Sequence, residues 1–368
     1  MDKRVAFFNL QKTIDPIREQ LSNAYLDFLQ LGQVILGPRV NEFELWCSGY
    51  LRQEFTVGVN SGLDALIISL KALNIGPGDE VIVPSNTYIA TWLAVTSVGA
   101  VPKPVEPNPS TMNITANDCK PIINSSVKAI LPVHLYGLPC DMPAILDLAN
   151  EFGMYVIEDN AQAFGARIEG RPTGSWGHIN AHSFYPTKNL GAFGDGGMVS
   201  TNDKNLFEWV KKFRNYGSSK RYTNDLAGAN SRLDEIQASW LLVKSTILEQ
   251  QLNERKTIAK QYNEGLSSIS DLILPFISSD HSFHLYVIRT KKRDDLAKYL
   301  ALKGIETLIH YPIPPHLQSC YKYLGYKPGD FPIAESLASE TLSLPLYPGI
   351  GKDVDFVIQI IHEFFANH

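Results

Sequence analysis

The sequence has few cysteines, and their spacing does not suit metal binding or a disulfide framework. Its 368 residues contain four cysteines, none of them in a CxxC pair, so a disulfide scaffold or a structural zinc site is disfavoured. The four are Cys47, Cys119, Cys140 and Cys320. We predict reduced thiols, no bound metal and a cytoplasmic location.

Long apolar segments and an excess of positive charge are absent as well. No run of about 18 apolar residues occurs, so no transmembrane helix is predicted. The first segment, MDKRVAFFNLQKTIDP, lacks the apolar core of a signal peptide. With 33 Lys and Arg against 38 Asp and Glu, the formal net charge is −5, whereas a protein devoted to nucleic acid would carry a basic excess. The sequence therefore predicts no membrane and no nucleic-acid partner.

The composition and the patterning that remain are those of a folded α/β protein. Hydrophobic residues make up 44% of the chain, which excludes disorder of its bulk. From residue 57 onward, short apolar runs alternate with segments of helical periodicity. The runs predict strands at 80–84, 101–105, 128–133, 155–158, 181–185 and 197–200, and the periodicity predicts helices at 62–73, 87–98 and 142–152. This alternation predicts a mostly parallel sheet with helices on both faces.

The last third of the chain predicts a second, smaller domain. A helical pattern runs from residue 231 to about 266, and its length predicts a helix that is kinked or connects two domains. A strand at 283–289 and helices at 294–302 and 353–365 then predict an α+β unit. We predict a large domain of residues 1–245 and a small domain of residues 246–368. The N-terminal segment is a candidate to pack on the small domain.

A single lysine lies in a glycine-rich segment that follows a predicted strand. The segment is SFYPTKNLGAFGDGG at 183–197, and the lysine is Lys188. Glycines allow a ligand to approach the backbone closely, and a lysine there can bind phosphate or form a Schiff base with a carbonyl. Taken alone, an exposed loop lysine is the commoner case, and the pattern matches neither the P-loop nor the dinucleotide fingerprint.

Three further segments complement this lysine. Asp159 and Gln162 follow the strand at 155–158, where ligands gather in open α/β sheets, and a carboxylate there can keep a pyridine nitrogen protonated. A small polar turn, Asn60-Ser61-Gly62, stands at the start of a predicted helix, and such a turn suits an anion. An aromatic residue, Tyr88, follows a strand end and suits stacking on a flat ring. Each feature has a simpler structural explanation: Asp159 could cap the next segment, the turn at 60–62 could be only a helix N-cap, and Tyr88 could be a core aromatic. Together they indicate pyridoxal phosphate.

Nearly the whole chain resembles the DegT/DnrJ/EryC1/StrS family of sugar aminotransferases, which have the aspartate-aminotransferase-like fold (fold type I). The motifs that carry the resemblance are GQVILGP at 32–38 with FE at 43–44, GLDAL at 62–66, GPGDEV at 76–81, PVHLYG at 132–137, EDNAQ at 158–162, the segment 183–197, GANSRLDEIQ at 228–237 and HYP at 310–312. One departure is Glu106, where many members carry Asp before Pro.

The resemblance implies a role for each candidate site residue. Lys188 matches the Schiff-base lysine and Asp159 the partner of the pyridine nitrogen, and these two are the predicted catalytic residues. Gln162 matches the residue near the ring hydroxyl and Tyr88 the stacking aromatic, whereas the phosphate ligands are matched by Ser61, Gly62 and Ser183. The predicted substrate-binding residues are Tyr185, His310 and Tyr311.

The resemblance also implies a homodimer with shared active sites. Asn230 matches an asparagine that reaches the phosphate of the neighbouring subunit's cofactor. We expect a long helix to begin just after Asn230, so that this residue is its N-cap, a phosphate ligand, or both.

The resemblance finally implies a reaction. Related dehydratases carry a histidine in place of the lysine, so Lys188 favours transamination. The segments 62–66 and 86–91 and the opening FNL at 8–10 resemble enzymes that aminate C3 of a dTDP-linked 3-keto-6-deoxyhexose, with glutamate as amino donor. The alternatives are amination at C4 of a nucleotide-linked 4-keto sugar, or a regulatory protein that binds cofactor or sugar nucleotide without turnover. An oxidoreductase is opposed by the lack of an early GxGxxG motif.

Overall fold

Parallel strands dominate the central sheet of the computed structural model, which describes residues 3–367. Within them, seven strands form this sheet in the order β1-β9-β8-β5-β4-β2-β3. The strands are β1 (Phe55–Val59), β2 (Glu80–Pro84), β3 (Val101–Val105), β4 (Val127–Ile130), β5 (Tyr155–Asp159), β6 (Arg167–Ile168), β7 (Arg171–Pro172), β8 (Ile179–Ser183), β9 (Gly197–Thr201), β10 (Ser218–Lys220), β11 (Thr223–Asn224), β12 (Tyr286–Arg289) and β13 (Thr341–Leu344). In the central sheet, β9 runs antiparallel to both of its neighbours, and the other pairings are parallel.

Helices connect these strands and cover the sheet. They are α1 (Leu10–Ile14), α2 (Arg18–Leu31), α3 (Pro38–Leu51), α4 (Gly62–Ala72), α5 (Ile89–Ser97), α6 (Ala116–Cys119), α7 (Met142–Phe152), α8 (Lys204–Phe213), α9 (Glu235–Ser245), α10 (Leu248–Leu266), α11 (Arg293–Leu302), α12 (Pro332–Glu340) and α13 (Asp353–Asn367). The predicted α/β fold with a mostly parallel sheet is confirmed. In the part of the chain that the structure describes, no helix is long and apolar enough to cross a membrane.

The parallel strands place several polar side chains at one edge of the sheet. Strands β5 and β8 pair in parallel and end at Asp159 and Ser183, and the antiparallel β9 begins at Gly197 directly opposite Ser183. Helix α4 packs over β8 and β9 and begins at Gly62. The carboxyl ends of the strands and the amino end of α4 therefore meet at the same edge, which is where open α/β sheets bind ligands.

The predicted helix over 231–266 is two helices in the structure. Helix α9 begins at Glu235 with Asp234 as its N-cap, and Thr246 and Ile247 separate it from α10. Residues 231–233 have no regular secondary structure, and Asp234, whose own backbone is extended, bridges Ile35. Helical periodicity continues through the break because both helices bury the same face, so the pattern did not reveal where each helix begins.

Helix α10 passes from one hydrophobic cluster to another. Leu248 and Leu252 pack with α3 and α9, whereas Tyr262 and Leu266 pack with β12, β13, α11 and α13. Val5 belongs to this second cluster and bridges Ile305, so the N-terminal segment packs on the C-terminal part of the chain. The domain boundary at residue 245 stays a prediction.

Strands β1 and β13 did not stand out in the sequence. Both are short, and both are held by partners distant in sequence: β1 lies at the sheet edge against β9, and β13 pairs with β12. Gly58 interrupts the apolar pattern of β1 because a Cβ there would lie 2.9 Å from Leu233 Cβ. The packing of these strands, rather than their own pattern, determines that they are strands.

Candidate active site

A cavity of about 360 Å³ opens at the edge of the sheet where β5 and β8 end and α4 begins. Every predicted site residue except Asn230 lines it. These residues are Ser61, Gly62, Tyr88, Asp159, Gln162, Ser183, Tyr185, Lys188, His310 and Tyr311. The cavity thus combines an amine, a buried carboxylate, aromatic rings and a helix N-terminus from segments far apart in the sequence.

Lys188 supplies the amine of this cavity. It follows β8 in a turn in which its backbone N–H donates to the Tyr185 carbonyl at 2.8 Å. Burial lowers the pKa of Lys188 to about 8, and the nearby Asp159 carboxylate opposes that shift. A lysine with this pKa holds a useful fraction of neutral amine near neutral pH, which a nucleophile or a general base requires.

Asp159 supplies the buried carboxylate. Its side chain accepts the Ala161 N–H at Oδ1 (3.1 Å) and the Thr91 hydroxyl at Oδ2 (3.2 Å). Burial raises its pKa, and the Ala161 N–H and the Lys188 ammonium oppose the rise. The simpler reading was partly correct, since the carboxylate caps the turn at Ala161, but Asp159 also faces the cavity.

The start of α4 and the end of β8 form a narrow cleft of backbone. Ser61 is the N-cap of α4, with its hydroxyl accepting the Asp64 N–H at 3.1 Å. A Cβ on Gly62 would lie 2.7 Å from Ser183 Cβ, and one on Gly197 would lie 2.2 Å from the Ser61 carbonyl oxygen. Glycine is therefore required for this approach. Apart from the Asp64 N–H, which the Ser61 hydroxyl accepts, the first N–H groups of α4 have no intrahelical acceptor, so they are available to an anion.

The opposite wall comes from the C-terminal part of the chain. Gln162 donates to the Tyr311 hydroxyl at 2.9 Å and accepts the Tyr136 N–H at 2.7 Å. Tyr88, 51% exposed, packs against Tyr311 with ring centroids 5.1 Å apart. His310 is held by Ser343 through its Nδ1 at 2.8 Å, and burial lowers its pKa to about 4, so its imidazole is neutral near pH 7.

The sequence analysis missed five polar residues that line the cavity, one of which is Thr187 in the glycine-rich segment. Thr87 and Thr91 flank the start of α5: Thr87 precedes its N-cap, Tyr88, and Thr91 lies in its first turn. Asp195 lies in the glycine-rich segment and is exposed at the cavity. His284 precedes β12, its Nδ1 has no partner among the described residues, and no local motif marks it.

The expectation that Asn230 caps a helix was wrong. Asn230 is exposed, bridges Asn215 and precedes the N-cap of α9 by several residues. The next residue, Ser231, donates to Asp64 at 2.7 Å and accepts the Asn60 N–H at 3.2 Å, so this segment is held against the start of α4. Asn230 therefore lies outside the cavity of its own chain.

Glu106 also lies outside the cavity. Its carboxylate accepts the N–H groups of Ile333 (2.7 Å) and Ala334 (3.1 Å) in the first turn of α12 and the Ser85 hydroxyl (2.9 Å). An acid at a helix N-terminus is stabilising, so Glu106 links the end of β3 to α12.

The residues of the cavity fit pyridoxal phosphate. The cleft at Gly62 and Ser183 excludes side chains and presents amides to a phosphate. The carboxylate of Asp159 keeps lone pairs beyond those used by Ala161 and Thr91, which suits a protonated ring nitrogen. The Tyr88 ring and the Lys188 amine lie in the same cavity.

Comparisons with known proteins agree with this chemistry. The model of the DegT/DnrJ/EryC1/StrS aminotransferase family matches residues 15–362. The chain is 44% identical to a dTDP-3-amino-3,4,6-trideoxy-alpha-D-glucose transaminase of Streptomyces venezuelae, over 95% of this chain and 93% of that protein. It is 43% identical to a dTDP-3-amino-3,6-dideoxy-alpha-D-galactopyranose transaminase of Aneurinibacillus thermoaerophilus, over 98% and 99%. Among solved structures, S. venezuelae DesV in complex with a ketimine intermediate superposes with a TM-score of 0.96 at 43% identity, covering 98% of each chain.

Proposed function

Because the chain belongs to the DegT/DnrJ/EryC1/StrS aminotransferase family, and is a pyridoxal-phosphate-dependent sugar-nucleotide aminotransferase, we propose that it aminates C3 of a dTDP-linked 3-keto-6-deoxyhexose, with glutamate as amino donor. The observation that carries the proposal is the cavity that unites Lys188, Asp159 and the cleft at Gly62. The position and the nucleotide are supported by the two relatives above, whose names both specify a 3-amino dTDP-sugar.

Different residues of the cavity are assigned to different parts of the cofactor and to the sugar substrate. We assign the phosphate to Ser61, Gly62 and Ser183, the ring face to Tyr88, the ring nitrogen to Asp159 and the neighbourhood of the ring hydroxyl to Gln162. Pyridoxal phosphate, when bound, supplies an aldehyde that combines with amines and a ring that accepts electrons from the bond that is broken. We assign the sugar substrate to Tyr185, His310 and Tyr311. The imidazole of His310 and the phenol of Tyr311 are both neutral, because burial lowers the pKa of the first and raises the pKa of the second, so each can donate or accept a hydrogen bond.

Lys188 is assigned the proton transfers. With the cofactor bound, the Lys188 Nζ would take a proton from the substrate carbon that bears the nitrogen and would return it to the former aldehyde carbon on the other side of that nitrogen, so the same amine would act as base and then as acid. Burial suits it to both tasks because a pKa of about 8 lies near the working pH. Asp159 stays ionised beside a protonated ring nitrogen, since an opposite charge favours the ionised form.

A substrate panel tests the proposed reaction. Purified enzyme with glutamate is offered dTDP-linked 3-keto and 4-keto sugars and their UDP-linked counterparts, and the amino-sugar product is measured. We expect the 3-keto dTDP-sugars to give the highest kcat/KM. A preference for 4-keto sugars would contradict C3 amination, and absence of turnover with every member would support the regulatory alternative.

Lysine variants test the site assignment. Lys188→Ala should leave the fold intact and abolish transamination. Retention of a tenth of the wild-type rate, which corresponds to an activation barrier only about 1.4 kcal/mol higher, would contradict a catalytic role for Lys188. Lys244→Met is the matched control, because burial lowers the pKa of Lys244 to about 8 as well, while its Nζ donates to the Gly191 carbonyl. Borohydride reduction of the holoenzyme should fix the cofactor on the Lys188 peptide and leave the Lys244 peptide unlabelled.

We also propose a homodimer in which Asn230 of one chain completes the phosphate cleft of the other. Two observations support it: Asn230 is exposed beside the start of α4, and α2 exposes Tyr25 (45%), Leu26 (54%) and Leu29 (58%), an apolar face that a second copy would cover. Asn230→Ala should weaken cofactor binding roughly tenfold or more, through loss of a hydrogen bond to a charged group.

Subunit mixing tests this sharing. A heterodimer of a Lys188→Ala chain and an Asn230→Ala chain contains one site with both residues intact, so activity at limiting cofactor should partly return. Verified subunit exchange without recovery would place Asn230 outside the partner's site. A mixture of Lys188→Ala and wild-type chains sets the activity expected for one working site per dimer.

A further inference from the structure

Two threonine hydroxyls form a chain that ends on the Asp159 carboxylate. The Oγ1 atoms of Thr87 and Thr91 lie 2.9 Å apart, and Thr91 Oγ1 lies 3.2 Å from Asp159 Oδ2. All three side chains are buried, with at most 4% of their surface exposed. The two threonines lie at and just before the start of α5, whereas Asp159 ends β5.

The charge of Asp159 sets the direction of this chain. An ionised carboxylate only accepts hydrogen bonds, and each hydroxyl has one proton to donate. Thr91 therefore donates to Asp159, and Thr87 must donate to Thr91. The hydroxyl oxygen of Thr87, a residue that lines the cavity, then has acceptor capacity only, so the charge state of a buried carboxylate sets the hydrogen-bonding character of a wall residue.

Few other groups hold Asp159 in its ionised form. Ala161 N–H binds Oδ1, and the cationic neighbours are Lys188 and, when protonated, His134. Lys188 gives up its positive charge whenever it acts as a base, so its support is intermittent. The Ala161 N–H and the Thr91 hydroxyl are the hydrogen bonds that remain throughout, and a hydrogen bond to a charged group is worth more than one between neutral groups.

We propose that Thr91 is a positioning residue that, supported by Thr87, keeps the Asp159 carboxylate ionised and oriented toward the ring nitrogen of the cofactor. The inference rests on the proposed role of Asp159 and extends it to two residues that do not themselves contact the reacting atoms. Thr91 acts through Asp159 alone, so its contribution disappears when Asp159 cannot be ionised. The same dependence separates this role from one in packing α5 against the sheet.

Threonine-to-valine substitutions test the proposal because they remove the hydroxyl and preserve the shape. Thr91→Val should weaken cofactor binding to the apo-enzyme roughly ten- to a hundredfold and shift the pH titration of the holoenzyme's absorbance. Thr91→Ser should restore both. Thr96→Val is the matched control on the same helix. The Thr96 hydroxyl shares its proton between the Trp92 and Leu93 carbonyls, lies 3.3 Å from the Tyr321 hydroxyl and has no hydrogen bond to Asp159.

An Asp159→Asn background separates the possible outcomes. Thr91→Val should have no further effect on cofactor affinity there. An equal loss of affinity in both backgrounds would make Thr91 structural and overturn the proposal. The proposal would also be overturned if Thr91→Val and Thr96→Val had the same cofactor affinity and the same pH titration. If Asp159→Asn alone leaves affinity and spectrum unchanged, the proposed role of Asp159 fails instead. Should Thr91→Val not fold, Thr87→Val decides by the same measurements: a reduced affinity supports the chain and an unchanged affinity refutes it.

Discussion

A single methyl group placed on Gly62 should separate cofactor binding from folding. Gly62 is the first residue of α4 and its backbone does not lie in the left-handed region, so alanine is compatible with its conformation. The added Cβ, however, would lie 2.7 Å from Ser183 Cβ, 3.1 Å from its Oγ and 3.2 Å from its Cα. The end of β8 must move away from α4, and the cleft that we assign to the phosphate must widen.

The effects on stability and on cofactor binding follow from different contacts and are measured separately. Overpacking costs about 1–3 kcal/mol, and replacing a helical glycine by alanine returns about 0.5–1 kcal/mol. The free energy of unfolding of the apo-protein should therefore fall by no more than about 2.5 kcal/mol. Loss of one hydrogen bond to a charged phosphate costs about 1.5–3 kcal/mol, so the cofactor Kd should rise roughly ten- to a hundredfold.

The assay pairs a urea unfolding curve of the apo-protein with an absorbance titration of the same protein by pyridoxal phosphate. Gly49→Ala is the matched control: Gly49 lies within α3, and a Cβ there would meet no atom within 4 Å. It should raise stability by about 0.5–1 kcal/mol and leave the Kd unchanged. In Gly62→Ala/Ser183→Gly the two contacts with the Ser183 side chain are removed and only the 3.2 Å contact with the backbone Cα remains. Stability should therefore return in part, whereas affinity should not return, because the Ser183 hydroxyl is lost. A Gly62→Ala protein with the wild-type Kd would refute the assignment of the phosphate to this cleft.

Two further predictions concern buried charges. Burial lowers the pKa of Lys188 to about 8 from its ordinary 10.5. The unfolded chain therefore binds more protons between these values, and the stability of the apo-protein should rise with pH across this interval. In urea unfolding curves Lys188→Met should lose the part of the rise that Lys188 contributes and keep the part that Lys244, whose pKa is also about 8, contributes. Glu158, fully buried, accepts the N–H groups of Gly174 and Trp176 and contacts His134 Nε2 at 2.7 Å. Glu158→Gln turns one acceptor into a donor and should cost about 2–5 kcal/mol; an unchanged melting temperature would show that this network relaxes without loss.

The sequence by itself determined the class of fold and most of the chemistry. Apolar runs that alternate with helical segments predict a parallel sheet because each element must bury one face, and that requirement is local. Lys188, Asp159 and the Gly62 turn were recognisable because each lies at a strand end or a helix start, where an open α/β sheet binds ligands. The predicted family, enzyme class and cofactor are confirmed by the comparisons.

Only the tertiary structure decided which distant segments meet. Thr91 contacts Asp159 because the order of the strands places the start of α5 beside the end of β5. His284 and Tyr311 reach the cavity from the C-terminal part of the chain. The segment that precedes α9 is held against α4 by the hydrogen bond from Ser231 to Asp64. Periodicity and caps are properties of neighbouring residues, whereas these contacts depend on strand order and on packing between segments far apart in sequence. For that physical reason, local patterns predicted the elements and the tertiary structure assembled the site.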